Sequence, residues 1–419
     1  MMTQAFYTGL SGLQTNAYGI DAVTDNLANI STVGYRGYGI EFSSMFGELI
    51  NTNSGSSSVN STIGVGSQVQ ATPMIQTTGI LQLTERNTDL AIDGDGWFGV
   101  QGGENPIYTR DGAFTFDSNA DLVTTDGFHV LGSMGGNIGE GDVLINKLDT
   151  LALGAIGTQE KLRFPKTLRY PAEPTTNAKF LANIGIDDVV RTVSASVVDG
   201  NNQKNNLRLE FTKNAVQSPP GSQWAIKATT QSLDGEIVYT TKTGTVEFDA
   251  AGALVSNSLT SIDNNGTAVT IDLGNGYDGI VSIDVPFVSS GSSIANGTIG
   301  GDLVGYAINK DAEVIATFTN GEQSIVGRVG LFHFQNDQGL QRLTGSRFKE
   351  TANSGKATFF TDANGTSILG ANVTNFKLEG SNYQMTDGLT ELIILQRAYD
   401  ASSKLITTAD EMIQKAINM

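Results

Sequence analysis

Few residues in this chain are placed to do covalent or redox chemistry. Gly94-Asp-Gly-Trp-Phe-Gly99 has the GxGxxG spacing of a phosphate-cradling loop. It leads, however, into a strand-like run and not into a helix whose N-terminus would face the anion. Asp93 and Asp95 open like a calcium loop, yet Trp97 replaces a ligand and Phe98 stands where such a loop needs glycine. The stretch reads as a tight hairpin. His129 and His333, the only histidines, sit among apolar neighbours in strand-like runs, which suits packed side chains better than a base or a metal ligand. Cysteine is absent, so thiolate catalysis, disulfides and Cys-type metal sites are excluded. Neither a Gly-x-Ser-x-Gly elbow nor a His-Glu-x-x-His run occurs. Trp224 and the tyrosines are single anchors that form no platform for a carbohydrate. The expectation is a protein that is not an enzyme and holds no cofactor and no metal.

A chain without a reactive centre acts through its surfaces, and the strongest patterns lie at its two ends. Over 381–419, Leu392, Tyr399, Ile406 and Ile413 recur every seven residues. Leu395, Ser402, Ala409 and Ala416 form a second row three residues on. This is an a/d-type seam, with Asp400, Lys404, Glu411 and Lys415 left to other faces. Near the start, Phe6, Leu10, Leu13, Ala17, Ile20, Val23, Leu27 and Ile30 step by three and four and stop at Gly34. Neither helix is stable alone in water, so the two are expected to pair. Asn26, Asn29 and Thr32 stand at the exit of the first helix, where their side chains can satisfy orphan carbonyls. Gly34 permits a chain reversal at positive φ. Arg397 lies beside the seam, within reach of Asp21 or Asp25 in its own chain or a neighbour's.

The residues between are of another kind. Gly is 50 of 419 residues and Pro only 8, which suits many short strands joined by tight turns. The formal charge of −18 comes without any basic run, which argues against nucleic acid. No run of 18 apolar residues occurs, so membrane insertion is not expected. The first basic residue is Arg36, so the N-terminus lacks the pattern of a cleaved signal peptide. Strand signals cover 76–83, 90–94, 97–101, 108–117 and 122–130, the last turning at Asp126-Gly127. Pro165, Pro171 and Pro174 mark a stiff crossing. Further strands are read at 192–198, 207–212, 224–229, 237–241 and 280–288, with turns at Asn265-Gly266, Asn275-Gly276 and Asn296-Gly297. A meander over 303–334 turns at Asn320-Gly321. The expected fold class is multi-domain α+β. Residues 1–33 and 381–419 form a coiled-coil-like helical core and 34–70 a connector that is extended or flexible. An inner mainly-β domain spans 71–165 and 301–380, and an outer one, 177–300, is inserted in it. Such a nested, elongated chain suits a polymerising subunit. A secreted β-rich adhesin would fit the acidic composition, but it has no need of heptads at both ends.

The residues then resemble a known family. Ser11-Gly-Leu13 with Asp25-Asn-Leu-Ala-Asn-Ile-Ser-Thr-Val-Gly-Tyr35 is similar to the N-terminal signature of bacterial flagellar rod and hook proteins, N-N-x-A-N-x-x-T-x-G-[FY]; Asp25 replaces its first asparagine. Leu90-Ala-Ile-Asp-Gly-Asp-Gly-Trp-Phe98 and Tyr108-Thr-Arg-Asp-Gly-Ala-Phe114 resemble the family's inner β domain. Gln396-Arg-Ala-Tyr399, with Lys404, Thr408 and Asp410, resembles its C-terminal signature. Within the family, the segments 303–308, 326–334 and 338–341 and the inserted domain look like the hook. The Gln396-Arg-Ala-Tyr-Asp ending and the long Ser/Asn-rich stretch at 51–62 look like the distal rod. The resemblance implies a homopolymer, many copies in a helical tube, that transmits torque outside the cell. It implies export by the flagellar type III apparatus without a cleaved signal. The implied partners are the distal rod, the hook cap and the hook–filament junction proteins.

Overall fold

Both ends of the chain are helical, as the heptad spacing predicts, with α1 spanning Met2–Ala28 and α2 spanning Met385–Ile417. The computed structural model describes residues 2–45, 47–49, 62–185, 189–215, 217, 220–284 and 291–418. α2 starts later than 381 because the backbone before it is committed elsewhere. Gly380 donates its N–H to the Ile80 carbonyl at 2.9 Å, and Asn382 to that of Tyr35 at 3.3 Å. Among the described residues no helix is long and apolar enough to cross a membrane.

The expected connector at 34–70 is partly built into strands. Glu41–Ser44 pairs antiparallel with Ser67–Ala71, and Gly47–Leu49 with Thr62–Gly64. The Ser/Asn-rich run 51–58 lies outside the described residues. Sparse periodicity hid these strands, since they carry few apolar side chains to alternate.

Beyond this hairpin the chain is β-rich. One 13-stranded sheet runs in the order Arg169–Tyr170, Gly301–Ile308, Glu313–Phe318, Gln323–Val329, His129–Met134, Trp97–Gln101, Ile107–Thr109, Arg347–Lys349, Gln341–Leu343, with further short strands off this path. Strands from before residue 171 and after residue 300 therefore share hydrogen bonds in one sheet. Its core gathers Leu90, Phe98, Phe114, Leu122, Val130, Phe318 and Val326, all at most 2% exposed.

Residues between these two groups build sheets of their own. Val190–Val198, Lys204–Lys213, Ser222–Ser232, Val238–Phe248 and Leu254–Asn257 form an antiparallel meander. Asn177–Asn183 centres a second, mixed sheet, pairing parallel with Thr267–Asp272 and Asp278–Val281. Alternate residues of Lys204–Lys213 are buried and exposed, the pattern of a strand with one wet face. The buried faces of both sheets share one core around Phe180, Phe211, Trp224 and Ile226. Each such side chain contributes about 1.5–3 kcal/mol by leaving water.

Three local readings need correction. Gly94-Asp95-Gly96 is not a hairpin: Leu90–Asp93 pairs with Asn372–Asn375, whereas Trp97–Gln101 pairs with His129–Met134, Ile107–Thr109 and Leu331–Phe332. The two glycines, at φ 129° and 133°, instead carry the chain from one sheet to another. Of the strand expected at 76–83, only Leu81–Leu83 forms. Of that expected at 280–288, Asp278–Val281 forms, and 285–288 lie outside the described residues.

A five-residue turn recurs at Asp117, Asp199, Asp249, Asn309 and Asp362, in which the side-chain oxygen accepts from the backbone N–H groups two and four residues on. The fourth residue is left-handed: Ala120 at φ 64°, Asn202 at 61°, Gly252 at 82°, Ala312 at 59° and Gly365 at 81°. An alanine there costs about 1–2 kcal/mol, more than the extra chain entropy a glycine gives up. Ala120→Gly is expected to stabilise the protein by about 0.5 kcal/mol in urea unfolding. Ala312→Gly is expected to gain nothing, because the Ala312 methyl is buried in the core.

Candidate functional site

The site is the helix pair and the joint that fixes it to the β-rich body. α1 and α2 lie side by side and antiparallel, and glycine decides how closely. A Cβ added at Gly9 would lie 2.9 Å from Ile406 Cγ1, one at Gly12 3.0 Å from Ser402 Oγ, and one at Gly19 2.9 Å from Leu395 Cδ2. On α2 the face turned inward is the one read from the heptads: Leu395 and Ala409 are buried, and Leu392, Tyr399, Ile406 and Ile413 are half-buried. On α1 it is not. The buried residues are Gly9, Thr15, Gly19, Ala22, Val23 and Asn26. Of the expected stripe only Val23 is buried; Leu10 is exposed, and Leu13, Ile20 and Leu27 are half-buried at the flank. Small residues win the inward position because they let the two backbones approach, so the bulkier apolar side chains are turned aside. Thr15 also bonds across to the hairpin, its hydroxyl donating to the Ser67 carbonyl at 3.0 Å.

The exit of α1 is fixed by its polar residues. The Asp25 carbonyl accepts both the Asn29 N–H at 3.2 Å and Asn29 Nδ2 at 2.9 Å, and Thr32 Oγ1 donates to Asn29 Oδ1 at 3.2 Å. Asn26 does something else. Its Nδ2 donates to the Tyr38 carbonyl at 2.7 Å and its Oδ1 accepts from the Tyr38 N–H at 3.1 Å, holding the returning chain as a strand neighbour would. Asp25 accepts from the hydroxyls of Tyr35 and Tyr38 at 3.2 and 3.0 Å, and Arg342 stacks 4.3 Å over the Tyr38 ring. Gly34 sits at φ 64°, with its N–H donated to the Glu379 carbonyl at 2.7 Å. A Cβ there would lie 2.3 Å from the Asp111 nitrogen. Arg397 is exposed, and no carboxylate among the described residues, Asp21 and Asp25 included, is within ion-pair distance of it. Its side chain points away from α1 of its own molecule.

The centre of the joint is Glu379, which the sequence did not single out. Its carboxylate accepts from Arg110 Nη1 at 3.2 Å and the Gly79 N–H at 2.9 Å and forms an ion pair with Arg36 Nη2 at 3.1 Å, and all three charged side chains are nearly water-free. Burial, then the neighbouring Arg110, pushes the Arg36 guanidinium down to about 10, so it still carries its charge at neutral pH. Arg110 also donates to the Gly94 carbonyl at 2.9 Å and lies over Trp97, and Trp97 Nε1 donates to Asp337 Oδ1 at 3.2 Å. Asn382 completes the joint, accepting from the Gly37 N–H and donating to the Ile75 and Thr77 carbonyls, each at 2.8 Å. The available signal was weak: Arg36 is a lone charge among glycines and tyrosines, an odd setting for a solvated cation. The histidines are packed side chains with polar partners: His333 is buried with Nε2 2.7 Å from the Leu369 carbonyl, and His129 Nδ1 is 3.7 Å from Asp121.

Asp337 gives the joint a pH dependence. Burial, then the nearby Asp95 carboxylate, raises its pKa above the usual carboxylate value. A raised carboxyl destabilises the fold where it is ionised; that cost starts to fall as pH drops through its folded-state pKa and is gone below its unfolded-state value. Asp337→Asn keeps the Trp97 acceptor and is therefore expected to raise the unfolding midpoint at pH 7, with the gain vanishing in acid. A midpoint that drops at pH 7 would contradict this.

Family models match at three places. Residues 6–36 fit "Flagella basal body rod protein", 91–168 fit "Flagellar hook protein FlgE/F/G D1 domain", and 376–419 fit "Flagellar basal body rod FlgEFG protein C-terminal". The chain is similar along its whole length to proteins named flagellar hook protein FlgE. That of Borreliella burgdorferi is 27% identical, with 100% of each chain covered. That of Escherichia coli is 28% identical, with 99% of this chain and 100% of the relative covered. The crystal structure of Helicobacter pylori flagellar hook protein FlgE2 shares the fold, with a TM-score of 0.54 over 71% of this chain and 100% of that one, at 14% identity. With matches at both helices and in the sheet between, and relatives aligned end to end, the chain is similar to the bacterial flagellar hook and rod proteins.

Proposed function

We propose that the chain is a structural subunit of the bacterial flagellum whose copies polymerise into the tubular hook, a flexible joint that passes torque from rod to filament. One observation carries this beyond the likeness to hook proteins. After α1 and α2 bury a face on each other, a second apolar face stays in water: Tyr7 and Tyr18 on α1, and Ile393, Ile394, Leu405 and Met412 on α2, are each at least 46% exposed. Terminal helices that leave this much apolar surface uncovered are built to be covered by neighbours. Asn26, Asn29, Gly34 and the inward rows of both helices, paired as a coiled coil, set the shape of that unit; Leu10, Leu13, Ile20, Leu27 and Arg397 look outward to other copies.

In this reading 1–33 with 381–419 is the axial core, 71–165 with 301–380 the inner domain and 177–300 an outer domain inserted in it. The sheet that joins strands on both sides of 177–300 supports that nesting. Contacts between copies are heterologous, so the array grows as a helix and does not close. Further copies, the distal rod, the hook cap, the junction proteins and the flagellar export apparatus are its partners, and the hook outside the cell is its location. The Gln396-Arg-Ala-Tyr-Asp400 ending favours a second reading, a distal rod subunit. Full-length protein concentrated and viewed in negative stain should form tubes, and protein that stays monomeric at every concentration would overturn the reading. Antibody labelling of intact basal bodies would separate hook from rod.

A further inference from the structure

A groove of about 500 Å³ runs along α1 beside the Glu41–Ser44 and Ser67–Ala71 strands, lined by Tyr7, Leu10, Gln14, Tyr18, Met45 and Val65. We propose that this groove seats α2 of a second copy, in a register that sets Arg397 against Asp25, Leu405 against Tyr18 and Met412 against Leu10. The proposal rests on the polymer reading above and names the contact by which it is made.

The spacing carries the register. Copies related by a screw axis along the helices keep one polarity, so α1 of one molecule meets α2 of the next antiparallel, as within each molecule. On α1 the exposed Asp25, Tyr18 and Leu10 are separated by steps of seven and eight residues. Along α2 in the opposite sense Arg397, Leu405 and Met412, also exposed, step by eight and seven. The charges agree as well. α1 carries Asp21 and Asp25 and no basic side chain. Arg397 and Lys404, exposed and seven residues apart on one side of α2, lie beyond ion-pair distance of every carboxylate among the described residues. In the proposed register Lys404 comes within a turn of Asp21. An alternative register fails this test: setting Ile394 against Tyr18 and Leu405 against Tyr7 aligns the apolar pairs but brings Glu391 and Asp387 onto Asp21 and Asp25. Within one molecule Gly9 lies beside Ile406 and Gly19 beside Leu395, so the second copy is displaced by eight residues along α2, about 12 Å at 1.5 Å per residue.

The absence of cysteine allows a clean test. Tyr18→Cys subunits are mixed with Leu405→Cys subunits, assembled into tubes and oxidised. Disulfide-linked dimers are expected from the mixture and from neither variant alone. A control pairing Thr24→Cys with Leu405→Cys should give at least about fivefold less. In parallel, Arg397→Glu should raise the concentration needed for assembly about tenfold, and Arg397→Lys by less than about threefold. Tubes that form without the expected dimer, or that tolerate Arg397→Glu unchanged, overturn this contact and leave the polymer reading standing. Failure of wild-type protein to form tubes removes both.

Discussion

Replacing Glu379 by alanine is expected to cost about 3–5 kcal/mol of unfolding free energy, the typical penalty for removing one partner of a buried ion pair. Here one acid serves two cations. Without it Arg36 and Arg110 would face each other with side chains 3% exposed, and neither can shed its proton at neutral pH at small cost. Asp95 does not compensate, since it lies 3.8 Å from Arg110 and is itself half-open to water. Glu379→Gln should cost less, because its amide oxygen can still accept from the Gly79 N–H. Urea unfolding followed by tryptophan fluorescence reads the effect directly, as Trp97 lies against Arg110. A loss below about 1 kcal/mol for the alanine variant would show that water enters the joint and replaces the carboxylate.

The second large effect is expected from deleting residues 385–419. Tube formation should disappear entirely while the β-rich body stays folded. The reason lies in where the cores are: neither helix contributes a side chain to any of the three apolar clusters of the sheets. The body's unfolding free energy should therefore change by less than about 0.5 kcal/mol, the range of changes that touch no core. α1, however, loses the surface its glycines face. Three glycines cost a helix about 1 kcal/mol each relative to alanine, so α1 should unravel with α2 gone. The far-UV signal should drop by more than the loss of the 33 helical residues of α2 accounts for. Tubes from the truncated chain would place the assembly surface elsewhere.

How much of this was legible depends on what hydropathy can see. The inward face of α2 was readable because Leu395 and Ala409 repeat at heptad spacing. The inward face of α1 was not. Gly9, Gly12 and Gly19 carry no apolar signal, although they decide the approach of the helices, so counting large side chains selected the neighbouring flank. Turn chemistry was readable wherever reversal is local: Asn265-Gly266 and Asn320-Gly321 both join paired strands. It misled at Gly94-Asp95-Gly96, because a turn signal fixes a change of direction and not which strand is then met. The joint was least readable of all. Arg110 and Glu379 lie 269 positions apart, and nothing local to either predicts the other. The role of Asn26 was half visible: its place at a helix exit could be read, but its hold on the Tyr38 backbone depends on a chain path that only the folded protein reveals.

The antiparallel course of the helices also bears on how the protein can be handled. With Gly9 beside Ile406, residues near either terminus emerge at one and the same end of the rod. A purification tag or fluorophore grafted to either terminus would thus occupy a single crowded spot and obstruct packing whichever terminus is chosen. The tip at Asp234-Gly235, exposed between Ser222–Ser232 and Val238–Phe248, is the place to attach one instead.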